Sequence, residues 1–458
     1  MVAACGTPIP RPVELVGVMN VDSFSRINKV FVDTQQLSPE DASERRAACR
    51  VGLVCGPEVA HSRTLQAAVA TAMRTAARCY PGAVGLVASP EVREALQKTR
   101  TVELPTASTT DYPPPRYTIA FGSTRANAHA MQVSFNGWTA QVAPVVDGRL
   151  EEREANPLAG VLAGTLAVSE SFLNFAGVVH DATRRRIVLS LWQPHASAPD
   201  AGPEIEYLPT RAWLAGLGHL GQAYAWAYAW LPWGSCRERP ELWLVDDDTL
   251  VDANLETGVL SERNRLGDYK TRIVSAWLEA RAIRTRLIER RFGTGVQLQA
   301  DEPQLLLGGV DRNRARHVLA SAGGRLVDAG LGATASNFDT IALRDWPNPR
   351  SADELWPIDI DTTPATERLA DNNPAYAALS SDRCGRVRLA ERAVGVPFVG
   401  AAAAAFAWAQ PLRELHGGEH ISDLKLKLAS PRDIEAYGRA CQAEDLISIA
   451  FLPARRDQ

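Results

Sequence analysis

The 458-residue sequence predicts an α/β protein with a mostly parallel β-sheet in each of two halves. Three observations point there. Short apolar runs alternate with helix-forming stretches along most of the chain. The stretch LAGLGHLGQAYAWAYAWL carries Gly216, Gly218 and Gly221 at G-x-G-x-x-G spacing, between an apolar run and a long alanine- and aromatic-rich run. The next apolar run, ELWLV, ends in Asp246, Asp247 and Asp248. In that order, backbone N–H groups at a helix N-terminus face a phosphate and a carboxylate holds ribose hydroxyls. The glycines alone leave open whether the ligand is a dinucleotide or ATP.

The elements follow in order. Residues 1–46 read as a loose leader without the charged region and long apolar core of a signal peptide, so a cytoplasmic location is expected. In the first half, 47–205, CRVGLVCGPEVAHSRTLQAAVATAMRTAARCY reads as strand, turn and helix, and GAVGLVASPEVREAL as a further strand and helix. PRYTIAFGS and MQVSFNGWTAQVAP read as strands, and NPLAGVLAGTLAVSESFLNFAG as a small-residue helix. This half has the alternation but neither the glycine fingerprint nor the strand-ending acid. The second half, 206–458, repeats the plan with both. DYKTRIVSAWLEARAIRTRLIERRF reads as one long helix with a solvated arginine face. QLLLGGVD is a strand ending in Asp311, and GRLVDAGL and FDTIALRDW are further strands. A proline-rich acidic loop opens the 345–395 region. VGVPFVGAAAAAFAWAQPL reads as a strand running into a buried helix rather than a membrane span. The predicted architecture is a fused pseudo-dimer, one sheet degenerate and one active.

Composition narrows the function. With 46% hydrophobic and 22% charged residues, this is an ordinary globular chain. A net charge of −4 gives no general basic field for nucleic acid. The seven cysteines form no C-x-x-C pair, which argues against a disulfide framework or a structural zinc site. Cys384 differs from the rest, because Arg383, Arg386 and Arg388 lie close in sequence and cations favour a nucleophilic thiolate. Cys236, in LPWGSCRERP, is its rival, and Cys441 is expected to pack within a helical pattern.

Four spaced motifs in residues 205–420 resemble the ThiF/MoeB and ubiquitin-activating-enzyme superfamily. Beyond the glycines, DDDTLVDANL matches D-x-D-x-V-x-x-S-N-L with Asp246, Asp248 and Asn254 in register. LGDYK supplies a G-x-x-K with Lys270, and VDRNRAR a D-x-x-x-x-R with Asp311 and Arg316. Cys384 precedes VPFVGA, where the family has a crossover-loop cysteine before a strand. The resemblance implies two Rossmann-like adenylation halves, the first inactive. It implies adenylation of a ubiquitin-like protein with ATP and Mg²⁺, then a thioester on Cys384 and transfer to a conjugating enzyme. Gly216, Gly218 and Gly221 would admit the nucleotide, Asp246 would hold the ribose, and Lys270, Asn254 and Arg316 would complete the nucleotide contacts. Asp311 would hold Mg²⁺, and Asp248 would assist it or cap the next turn. Ser25-Arg26 matches the family's Ser-Arg pair, whose arginine reaches ATP from the inactive half; a surface arginine is the alternative reading.

Compact two-half members resemble the activating enzyme of bacterial ubiquitin-like (Bil-type) defence operons. No nucleic-acid or membrane partner is implied, and a homodimer is compatible. Two departures stand out: Thr257 where the family carries an arginine, and Arg312 where it carries an asparagine. No separate ubiquitin-fold domain is legible near the C-terminus. A sulfur-carrier adenylyltransferase and a non-catalytic scaffold remain alternatives. A nicotinamide oxidoreductase would leave the later three motifs without a purpose.

Overall fold

A computed structural model of the chain describes residues 24–104, 114–126, 130–234, 239–358, 363–380 and 382–454. The first sheet contains β1 (Arg50–Cys55), β2 (Ala83–Val87), β3 (Tyr117–Phe121), β4 (Met131–Asn136), β5 (Thr139–Pro144) and β6 (Ile187–Ser190). Their order is β2-β1-β3-β4-β5-β6. The first four are parallel, and β5 and β6 are antiparallel. A short β7 (Tyr207–Pro209) follows. The second sheet contains β8 (Arg211–Ala215), β9 (Glu241–Val245), β10 (Arg284–Ile288), β11 (Leu305–Gly308), β12 (Arg325–Leu331), β13 (Thr340–Trp346), β14 (His420–Lys427) and β15 (Glu435–Arg439). Its order is β10-β9-β8-β11-β12-β13-β14-β15, parallel through β12 and antiparallel beyond. The last strand, β16 (Phe451–Pro453), pairs antiparallel with β7.

The two sheets share a plan. In each, the first strand has the next on one side and a later one on the other, and a long helix precedes β6 and β14. Parallel strands covered on both faces need continuous apolar runs, and LLLG of β11 is buried throughout. The helices Arg63–Cys79, Leu158–Phe175, Pro397–Leu415 and His219–Ala229 pack on one another and on their own sheets, forming the layer between. A Cβ on Gly160 or Gly164 would overlap the carbonyl of Thr64 or Ala68, so close approach of two helices requires glycine there. Leu158–Phe175 is long and apolar enough to cross a membrane, and it is buried inside the protein.

Five elements differ from the sequence expectations. Residues 24–48 are not a loose leader: helices Asn28–Gln35 and Pro39–Ala48 bury Val30, Phe31 and Ala42. The remainder of that leader, 1–23, lies outside the described residues. The expected long arginine-rich helix stops at Glu279, Ala282 takes φ +61°, and RTRLI becomes edge strand β10. Its arginines suit a sheet edge, where charge discourages further pairing, and Arg286 stacks 4.1 Å over Trp243.

The 345–395 region holds helices Thr363–Asn372, Pro374–Leu379 and Arg383–Glu391. Asn373 caps the second by accepting from the Ala375 N–H, and Pro374 begins it where a missing N–H is harmless. These helices form an apolar cluster with Phe24 and Val32 through Tyr376 and Leu389. Lys29 Nζ donates to Tyr376 Oη at 2.8 Å and to Asp33. VGVP is not a strand: Pro397 opens its helix directly. Cys441 lies half-buried between β15 and the short helix Ala443–Leu446, not within a packed helix. The backbone bonds of EAYGR go to β14 instead.

Candidate active site

In the second sheet β8 has β9 on one side and β11 on the other, which opens a crevice beyond their C-terminal ends. The glycine turn fills its floor. Gly216 stands at φ +84°, and a Cβ on Gly221 would overlap the Gly216 carbonyl. Gly218 opens the helix His219–Ala229 and has free space where a side chain would stand. The sequence reading missed Gly309. A Cβ there would lie 2.7 Å from Gly216 O, so β11 can approach the turn only with glycine. The signal was the GG pair in QLLLGGVD. Gln222 fixes the turn from behind, donating to Leu217 O and accepting from the Leu260 N–H at 2.9 Å.

The acids frame the crevice. Asp246 Oδ2 accepts from the Leu217 N–H at 2.5 Å and Oδ1 from the Asp248 N–H at 2.8 Å. Burial raises its pKa, against the pull of the Leu217 N–H and of Lys270. Lys270 is buried at the start of the helix Lys270–Glu279, and its Nζ lies 2.7 Å from Asp248 Oδ2. The carboxylates of Asp246, Asp247 and Asp248 stand within 4.8 Å of one another, a spacing that could hold a cation. Asp311 is exposed just beyond β11. Asn254 Oδ1 accepts from the Val251 N–H at 3.1 Å, bracing the loop that leads to Thr257. Arg316 is turned away from solvent. It donates to buried Asp328, to Asn313 Oδ1 at 2.8 Å and to Val310 O at 2.9 Å, which braces the turn carrying Asp311.

Arg26 arrives from the first half. It is half-buried, and the charges of Asp311 and Glu256 act on it while burial lowers its pKa. Its Cδ and the Cγ2 of buried Thr257 both flank Gly395. Glu256, also missed from sequence, clamps this segment: it accepts from Ser25 Oγ at 2.7 Å and from Arg46 Nη1 at 3.0 Å. His219 was missed too, although it lies inside the glycine fingerprint. Its Nε2 is shielded and has no hydrogen-bond partner among the described residues. Burial, then the charge of Arg26, pushes its pKa down to about 4.

The corresponding end of the first sheet carries a carboxylate of its own. Beyond β1 and β3, Glu58 Oε2 accepts from the Ser123 N–H at 2.9 Å and crowds the Cβ positions of Gly56 and Gly122. A carboxylate at this turn repels an anion. Cys384 is exposed in the first turn of Arg383–Glu391, whose cap Asp382 accepts from the Gly385 N–H at 2.9 Å. Arg383 pairs with Asp371 at 3.0 Å and Glu367 at 3.3 Å. Cys236 lies outside the described residues.

Comparison with known proteins fits this two-sheet frame. Residues 50–191 match the BilD N-terminal domain, and residues 208–418 match the BilD C-terminal domain. The bacterial E1-like protein BilD of Collimonas sp. (strain OK412) is 39% identical over 314 residues, 67% of this chain and 67% of that one. The chain belongs to the BilD family of E1-like proteins. The BilD N-terminal match spans β1 to β6, and the BilD C-terminal match spans the glycine turn, Lys270, Asp311 and Cys384. Among solved structures, E. coli MccB aligns at 14% identity with a TM-score of 0.32, over 51% of this chain and 62% of that chain. MccB with ATP aligns at 14% and 0.33, and PaaA at 12% and 0.32, each over 51% of this chain and 64% of theirs.

Proposed function

We propose that the chain is an E1-like activating enzyme that adenylates the C-terminal carboxylate of a ubiquitin-like protein and then holds it as a thioester on Cys384. In this reading residues 47–205 are the inactive half of a pseudo-dimer and 206–458 the active half. The observation that carries it is the asymmetry of the two crevices. Glu58 sets a carboxylate against the first turn, whereas the second is open at Gly218 and framed by Asp246, Lys270, Asp311 and Arg26.

The chemistry joins two anions, so catalysis is positioning and charge neutralisation. A carboxylate oxygen attacks the α-phosphorus of ATP and pyrophosphate leaves. Asp246 orients the ribose, while Lys270 and Arg26 face the phosphates from opposite halves. The residues suit Mg²⁺, a hard cation that prefers carboxylate oxygens, and Asp311, assisted by Asp248, would hold it. The ion would supply further neutralisation of the phosphates. With Thr257 in place of an arginine, Arg26 and Lys270 carry more of that task. Thiolate attack by Cys384 on the acyl carbonyl then releases AMP, and a conjugating enzyme takes the acyl group.

The test is pyrophosphate exchange with a candidate ubiquitin-like protein. Asp311→Ala should abolish exchange with little change in the unfolding midpoint. Cys384→Ala should keep exchange and lose the carrier–enzyme band that reducing agent removes. A band that survives Cys384→Ala but disappears with Cys236→Ala would move the thiol role. Active exchange with no thioester at any time would favour a sulfur-carrier adenylyltransferase, and no exchange at all a scaffold.

A further inference from the structure

Arg26 enters the glycine-turn crevice from the first half, and a long side chain is aimed reproducibly only when its backbone is fixed. Both of its sequence neighbours are tied to one carboxylate of the second half, Glu256. Ser25 Oγ donates to Glu256 Oε1 at 2.7 Å and lies 2.8 Å from Oε2, and the Ile27 N–H makes a longer contact with Oε2 at 3.5 Å. Ser25 Oγ also accepts from the Asn28 N–H at 2.9 Å, which joins the same hold to the first turn of the helix Asn28–Gln35. Phe24 and Ile27 are buried on either side of the Ser25-Arg26 pair.

Glu256 follows the short helix Asp252–Leu255 and is secured in turn by buried Arg46 of the first half. Arg46 Nη1 donates to Glu256 Oε1 at 3.0 Å and to Asn28 Oδ1 at 2.6 Å, Nε to Cys79 O at 3.0 Å, and Nη2 to Arg78 O at 2.7 Å. Arg46 does two things here: it fixes the carboxylate in space and it neutralises it. An unpaired carboxylate beside Arg26 would draw that guanidinium to itself and cancel its charge. Paired with Arg46, Glu256 holds the backbone around Arg26 and leaves the guanidinium charge for the crevice. Of the two carboxylates whose charges act on Arg26, Asp311 in the crevice acts more strongly than Glu256.

We propose, resting on the adenylation reading above, that Glu256 is a positioning residue: the hold formed by Ser25, Glu256 and Arg46 sets where the Arg26 guanidinium meets the triphosphate. Arg26 comes in beside Thr257, where both flank Gly395, and Glu256 is the next residue along the chain. Thr257 brings no charge to this corner, so the cation there comes from the first half, across the joint between the halves. A displacement of about 1 Å across such a joint is enough to cost most of the rate. Glu256 locks that joint at the one place where the cation crosses it.

The test is a double-mutant cycle on the full chain: parent, Arg26→Met, Glu256→Ala and the double variant. Glu256→Ala should lower kcat for pyrophosphate exchange about tenfold to a hundredfold, with KM for the ubiquitin-like protein unchanged. In the Arg26→Met background the same change should cost about twofold or less. If Glu256→Ala does not fold, because it leaves Arg46 buried without its counter-charge, Ser25→Ala takes its place: it cuts the same hold and leaves the Glu256–Arg46 pair intact. A loss of equal size in both backgrounds would mean that Glu256 only staples the halves, and would overturn the proposal, as would exchange indifferent to Arg26→Met. ATP binding by the same four chains, measured by equilibrium dialysis without any carrier protein, separates this proposal from the adenylation reading, and the same coupling is expected there. Coupled ATP binding with no exchange would overturn adenylation and keep the role of Glu256. Exchange and ATP binding that depend on Arg26 but not on Glu256 would overturn the role of Glu256 and keep adenylation. A parent chain that binds no ATP would overturn both.

Discussion

His219 shows how one residue records its surroundings. The imidazole is neutral in the folded chain, because burial and Arg26 push its pKa down to about 4. In the unfolded chain it binds a proton below its ordinary value near 6.5. Stability from this group is therefore complete above about 6.5 and falls as the pH drops toward 4. A shift of that size corresponds to roughly 3 kcal/mol. Urea unfolding at neutral pH and near pH 4 should show a smaller acid loss in His219→Gln than in the parent chain. Parallel losses would remove His219 from this account. The sequence spelled out His219 within GHLG, but its environment comes from Arg26 and the Val396–Pro397 turn, both remote along the chain. By contrast, the aspartates were readable because a strand must end before it can present them.

At the level of elements, the Leu158–Phe175 helix meets Arg63–Cys79 through Gly160 and Gly164. Replacing either by alanine improves helix propensity by about 1 kcal/mol. The new methyl, however, meets a backbone carbonyl that cannot rotate away. Overpacking of this kind costs about 1–3 kcal/mol, so Gly164→Ala should lower the denaturant midpoint. An unchanged or higher midpoint would mean that the helices shift freely. This helix was legible because small residues repeat along it. β10 was not, because RTRLI carries the charge density of a solvated helix and becomes a strand only through pairing with β9. The 363–391 helices were hidden for a related reason. Their apolar partners, Phe24 and Val32, lie in the supposed leader.

Across the whole molecule, arginines stitch the halves together through backbone carbonyls. Arg63 donates to Trp230 O and Leu231 O, and Arg413 to Leu191 O. Arg185 donates to Ala429 O, and Arg78 to the carbonyls of Gly258, Val259 and Ser261. The planar fork spreads its donors over a fixed, wide array that a compact ammonium group does not offer. Burial, then Arg74, brings the Arg78 pKa down to about 9, so it stays charged at neutral pH. Arg78→Ala leaves three carbonyls without their donor and should destabilise the chain by about 3–5 kcal/mol in equilibrium unfolding. Arg78→Lys should recover less than half of that loss. A cost near zero for Arg78→Ala would mean that water replaces the guanidinium. Sequence alone offered no route to these bonds, since an arginine bound to a distant carbonyl leaves no pattern.

The segment bearing Arg26 and the helices bearing Cys384 share one apolar cluster, with Phe24 and Val32 on one side and Tyr376 and Leu389 on the other. Tyr376 is one fastening point, hydrogen-bonded to both Lys29 and Asp33, and Asn373 Nδ2, donating to Val32 O at 2.8 Å, is another. Riveted at more than one place, the seats of Arg26 and Cys384 belong to one panel rather than to two hinged flaps.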